Sequence, residues 1–126
     1  MNFTSQICTT EEQSKRLLAL GLKRETADMG LAEDIPIAIE DWKIQDTTLI
    51  DSPAWSLHRL IEMIPSEIPM EDYYLILGVS FNCVYYADNE YAEVFQSFDG
   101  NTYSCIINCI QWLIAEGYFN KKYLED

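Results

Sequence analysis

Hydrophobic and polar positions along the chain fall into segments of two periods, one helical and one alternating. The first helical segment follows Thr9-Thr10-Glu11-Glu12-Gln13, which offers two overlapping capping boxes, Thr9 with Glu12 and Thr10 with Gln13. Acidic residues fill its first turn, and Lys15 and Arg16 come later, as the helix dipole favours. Leu17, Leu18 and Leu20 give it an apolar end and Gly21 a natural stop, so a helix is expected over about 10–21. A second begins at Ser56, a good N-cap, with Trp55 and Leu60 placed as a hydrophobic staple. Leu57, Leu60, Ile61 and Ile64 then form one apolar stripe, and Pro65 ends it. The third has the strongest pattern. Tyr103, Ile106, Ile107, Ile110, Leu113 and Ile114 keep helical spacing, while Cys105, Cys109 and Trp112 make a second apolar face before Gly117. A helix apolar on two faces is expected to be buried on both.

The alternating segments predict strands. Ile35, Ile37 and Ile39 recur every second residue, as in a half-buried strand, and Pro36 confines that strand to an edge or a start. An earlier strand near 26–31 can pair with it. Tyr73-Tyr74-Leu75-Ile76-Leu77-Gly78-Val79 reads as a buried strand, and Cys83-Val84-Tyr85-Tyr86 as its hairpin partner. A third strand over about 92–98 has no clear facing, because Val94, Gln96 and Phe98 alternate with Phe95 and Ser97. Asp99-Gly100-Asn101 marks a turn, and the tail adds a turn near 121–124. Helix, strands, helix, strands, helix predicts an α+β fold: a small, mainly antiparallel sheet packed by about three helices, the C-terminal helix central. Length and the lack of linkers or repeats favour one globular domain over 1–126.

Composition supports a folded chain, with 48% hydrophobic and 13% aromatic residues. Charge changes the picture more. Eight Lys and Arg against 21 Asp and Glu give a formal net charge of −13. That field disfavours direct binding to nucleic acid or to an anionic membrane surface. It favours a basic partner, including a protein that itself grips nucleic acid. Solubility alone also explains such an excess. The N-terminal residues show neither a basic leader nor an apolar run, and no stretch approaches the roughly 18 apolar residues of a membrane span. A cytoplasmic setting is expected, with Cys8, Cys83, Cys105 and Cys109 as reduced thiols.

Candidate chemistry is sparse. His58 is the only histidine and lies on a helix flank, so it cannot build a multi-histidine zinc site. Cys105 and Cys109 are helical neighbours among isoleucines; redox pairs have two intervening residues rather than three. Asp88-Asn89-Glu90 and Asp99-Gly100-Asn101 lack calcium-loop spacing and read as turns. The pairs Glu33-Asp34 and Glu40-Asp41 are what 21 acids in 126 residues produce by chance. No metal, no cofactor and no catalytic residue is assigned. As anchors for a protein partner, Trp42 with Glu40 and Asp41 on an edge strand, and Tyr118 with Phe119 after the last helix, are the candidates; burial in the core is their alternative role.

Three stretches carry a resemblance. They are Thr10-Glu11-Glu12-Gln13-Ser14-Lys15-Arg16-Leu17-Leu18-Ala19-Leu20-Gly21-Leu22, then Ser52-Pro53-Ala54-Trp55-Ser56-Leu57-His58-Arg59-Leu60-Ile61-Glu62-Met63-Ile64-Pro65, and Trp112-Leu113-Ile114-Ala115-Glu116-Gly117-Tyr118-Phe119-Asn120. Together they cover about a third of the chain, and each has the form a capped helix takes. In them the chain resembles a family of small acidic proteins of gut Bacteroidales and their phages and mobile elements. The resemblance implies a bacterial, phage-related, cytosolic setting and no activity or ligand. The expected role is a non-enzymatic protein-interaction domain, accessory or inhibitor-like. The alternative is a small enzyme or ligand-binding domain whose site assembles only in three dimensions. A homodimer formed through edge strands stays open.

Overall fold

The computed structural model describes residues 6–33, 35–38, 52–80, 82–88, 90 and 92–125. It divides into two compact units: residues up to Ile61 together with the segment from Lys122, and Glu62–Lys121. Both are α+β, and every strand pairing among the described residues is antiparallel. The fold class expected from the pattern holds, but with two small sheets where one was expected.

In the first unit, α1 (Glu11–Ala19) is capped by Thr10, whose hydroxyl accepts from the Gln13 amide while Gln13 Oε1 accepts from the Thr10 amide. Only this one of the two expected boxes forms. Thr9 is turned inward, its hydroxyl 2.7 Å from Ser14 Oγ and accepting the Trp55 amide at 3.0 Å. Strands β1 (Met29–Ala32), β2 (Ile35–Ala38) and β3 (Ser52–Ala54) form a sheet in the order β2-β1-β3. Pro36 and Pro53 therefore both lie on outer strands, where a missing donor costs no ladder bond. The half-buried facing expected of β2 does not hold: all four of its residues are exposed, Ile35 and Ile37 included. Ser52-Pro53-Ala54 is strand, not the approach to a helix, and all three residues are buried.

Next comes α2 (Leu57–Met63), where Ser56 Oγ accepts from the Arg59 amide as an N-cap should. Trp55 is fully buried and its indole N–H donates to Thr26 Oγ1 at 3.0 Å. The tail closes on this unit. Lys23 N–H donates to the Tyr123 carbonyl, Glu125 N–H to that of Gly21, and the Arg59 guanidinium lies 5.6 Å from the Tyr123 ring centroid.

The second unit holds β4 (Glu67–Pro69), β5 (Tyr74–Ser80), β6 (Cys83–Ala87) and β7 (Glu93–Phe98), in that spatial order. Helix α3 (Thr102–Glu116) lies on one face of this sheet against β6 and β7. Asn101 Oδ1 caps it by accepting from Ser104 N, and Gly117 ends it at φ 81°, a left-handed conformation open to glycine at little cost. As the two-faced pattern predicts, Cys105, Cys109, Ile106, Ile107, Ile110 and Leu113 are all fully buried. They form a core with Leu75, Val84 and Tyr86 of the sheet.

Candidate interaction surface

Two faces of the four-stranded sheet meet different environments. Pairing in antiparallel register puts opposite residues on one side. Leu77, Tyr86 and Phe95 therefore share a face, as do Val79, Val84 and Ser97. That is the helix side. Phe95 stacks on Trp112 at 5.1 Å, Tyr86 lies 5.7 Å from the same indole, and Asn108 Nδ2 donates to Ser97 Oγ at 3.0 Å. The ambiguous strand over 92–98 is thereby resolved: Phe95 and Ser97 point to the helix, Gln96 and Phe98 away from it.

The opposite face is open. It carries Tyr74 and Ile76 on β5, Tyr85 on β6 and Phe98 on β7, with Tyr74, Ile76 and Phe98 exposed to 57%, 50% and 67%. Tyr85 is half-buried because its ring lies across Gly78, its cross-strand partner; a Cβ at Gly78 would sit 2.1 Å from Tyr85 Cζ. So β5 is not buried on both sides, as its continuous apolar run suggests. Its odd-numbered residues Leu75 and Leu77 face the core and its even-numbered ones face out. With aromatic side chains offering about 150–250 Å² each, the exposed fractions amount to an apolar patch on the order of 300 Å².

Carboxylates surround this patch. Glu67 is directly opposite Ile76 in the β4–β5 register, and Glu71 and Asp72 form the turn between those strands, where the Met70 amide donates to the Tyr73 carbonyl. Asp99 follows Phe98 at the other end and accepts the Asn101 amide. All four acids are exposed. Met70, Glu71, Asp72, Tyr73, Tyr74 and Ile76 line an open concavity of about 420 Å³ beside the turn. From Leu60 to Asn120 the chain has no Lys or Arg and nine Asp or Glu. That asymmetry is plain in the sequence once the unit boundaries are known; net charge averaged over 126 residues conceals it.

Of the anchors expected from sequence, only Tyr118 and Phe119 are among the described residues, and neither is on this face. Trp42, Glu40 and Asp41 fall outside the described residues. Tyr118 is 36% exposed, but on the helix side, where its ring lies 5.7 Å from Trp112 and its hydroxyl 3.9 Å from Met70 Sδ. Phe119 is only 4% exposed and so cannot offer its ring to a partner; the chain end after α3 turns it inward.

The reactive side chains do not line the concavity beside the β4–β5 turn. A second hollow is lined by Thr10, Glu11, Glu12 and Lys15, again without histidine or cysteine. His58 is exposed on α2. All four cysteines are free and buried. Burial holds the thiols of Cys8, Cys105 and Cys109 above their usual pKa, that of Cys109 at about 12, and the charge of Asp28 adds to the effect at Cys8. The Tyr86 hydroxyl, donating to the Pro65 carbonyl at 2.6 Å, is likewise pushed up by burial and then by Cys109. Raised values keep these groups protonated, which is the opposite of nucleophile activation. Among the described residues no group of three or more His, Cys, Asp or Glu is placed to hold a metal ion. Nor is any helix among them long and apolar enough to cross a membrane.

Compared with known proteins, the chain matches no family model, no curated protein and no solved structure.

Proposed function

We propose that the chain is a non-enzymatic protein-interaction domain, accessory or inhibitor-like, that engages its partner through the open face of the four-stranded sheet. One observation carries this reading: Tyr74, Ile76 and Phe98 hold an apolar patch in solvent on a unit whose charge is almost entirely negative. A patch of that scale is within the range of the largest apolar patch on an ordinary monomer, which is often functional, and its acidic rim gives it the polar border of a contact surface. A negative rim suits a basic partner, including a nucleic-acid-binding protein in a bacterial cytoplasm.

The test compares the chain with an Ile76→Thr/Phe98→Thr variant as bait in extracts of the producing cells. Threonine keeps strand preference while removing the apolar contact, and circular dichroism establishes that the variant folds. The expected result is a partner retained by the parent and lost by the variant. Recovery of no partner at low and at moderate salt, or equal recovery by both baits, overturns the reading.

A further inference from the structure

Resting on that reading, we infer that the occupant of the open sheet face is a basic amphipathic helix of about four turns. Four of the apolar side chains, Tyr74, Ile76, Tyr85 and Phe98, are arranged as a stripe, with Val94, 53% exposed on β7, off that line. Ser80, Cys83 and Phe98 are level across β5, β6 and β7, and Tyr74 lies six residues before Ser80. With about 3.4 Å per residue along a strand and about 4.8 Å between strands, Tyr74 and Phe98 are roughly 22 Å apart on a line inclined to the strands. Ile76 and Tyr85 lie along the same diagonal. Such a stripe matches one face of an α-helix of about 15 residues, whose apolar positions recur at i, i+4, i+7 and i+11. A helix already lies on the other side of these strands, so a second one completes a helix–sheet–helix sandwich around them.

Charge selects the helix. Glu67, Glu71 and Asp72 stand at the Tyr74 end and Asp99 at the Phe98 end, with no Lys or Arg between Leu60 and Asn120 to offset them. Lys or Arg on the flanks of the docked helix would meet carboxylates at both ends of the stripe and lay their aliphatic stems on the tyrosines. A second copy of this chain is a poor occupant. It would bring the same acidic rim and a further charge of −13 to the contact. An apolar patch on the order of 300 Å² is also well short of the roughly 800 Å² per partner of a stable pair, which points to a transient contact assisted by charge.

The probe is a synthetic helix of leucine at i, i+4, i+7 and i+11 with lysine elsewhere on its flanks, titrated into the whole protein by calorimetry and by amide chemical shifts. The expected result is binding that shifts β5, β6 and β7 resonances and weakens as salt rises from about 0.05 to about 0.5 M. The folded Ile76→Thr/Phe98→Thr variant should bind at least about tenfold more weakly. A matching leucine–glutamate helix should not bind. The inference is overturned by no binding of the lysine helix, by equal binding by the variant, or by equal or tighter binding of a lysine–valine strand of the same charge, which would make the β7 edge the route. A doubled mass by light scattering that the variant abolishes also overturns it, in favour of self-association. If the lysine helix is ignored while a face-dependent partner is still recovered from extract, only the partner's chemistry is wrong. If both fail, the interaction reading falls too.

Discussion

Gly78 has no side chain because Tyr85 uses the space one would need. The closest approach, 2.1 Å to Cζ, involves the outer end of the ring, so a new methyl displaces Tyr85 rather than the backbone. Gly78→Ala should therefore lower stability by about 1 kcal/mol, the order of one lost aromatic cross-strand contact, despite the better strand preference of alanine. In a Tyr85→Ser background the same change should be neutral or stabilising, since only the backbone entropy gain remains. Urea midpoints of the four proteins decide it; the same loss in both backgrounds would remove Tyr85 from the explanation. Cys109 gives a second residue-scale expectation. Its thiol titrates near 9.0 when unfolded and near about 12 when buried. Below pH 9 both states hold the proton and the full stability is present. Between those values only the folded state holds it, so stability falls as pH rises, by about 1.4 kcal/mol per pH unit for that group. Cys109→Ala should flatten the decline of the urea midpoint between about pH 9 and 11, leaving the part owed to Tyr86, Cys8 and Cys105.

At the scale of elements, what could be read depended on whether the cause was local. Helices α1 and α3 were legible because their signals lie in one stretch of chain: the Thr10–Gln13 cap of α1, and for α3 the apolar stripe that ends at Gly117, although Asn101 read only as part of a turn and not as its cap. The second capping box was misleading for a long-range reason, since Thr9 bonds Trp55 46 residues away. The edge placement of Pro36 followed from its missing donor, a property of one residue. Strands β3 and β4, three residues each, carry no period to detect, and Pro53 and Pro69 disguise them as connections. The facing of β7 was hidden because both alternating sets mix apolar with polar residues, Val94, Gln96 and Phe98 against Phe95 and Ser97, and only the pairing with β6 shows which set meets the helix. The candidate surface was missed for a related reason. Apolar residues run unbroken from Tyr73 to Leu77, which implies burial on both sides, whereas only Leu75 and Leu77 face the core. An apolar residue left in solvent looks the same in sequence as one inside.

For the whole molecule, charge is the property that reaches beyond its own residues. The exposed ion pair of Lys15 with Glu11, at 3.2 Å, is a helix-surface pair of little energetic weight, and it lies far along the chain from the 62–121 unit. Between Leu60 and Asn120 the chain carries nine carboxylates and no Lys or Arg, so the net field of its exposed acids extends into solvent and acts on whatever approaches. A field of this kind governs encounter more than residence. Glu71→Gln/Asp72→Asn changes the charge of the β4–β5 turn without altering its size or the apolar stripe. It should slow association with the lysine helix severalfold and reduce the salt dependence of that rate, while dissociation stays near the parental value. Ile76→Thr/Phe98→Thr should do the reverse, speeding dissociation with association nearly unchanged. Stopped-flow traces of both variants at two salt concentrations separate the two contributions. If the turn variant instead dissociates faster, Glu71 and Asp72 make close contacts in the complex, and the recess they share with Tyr73 and Tyr74 is part of the docked interface rather than its rim.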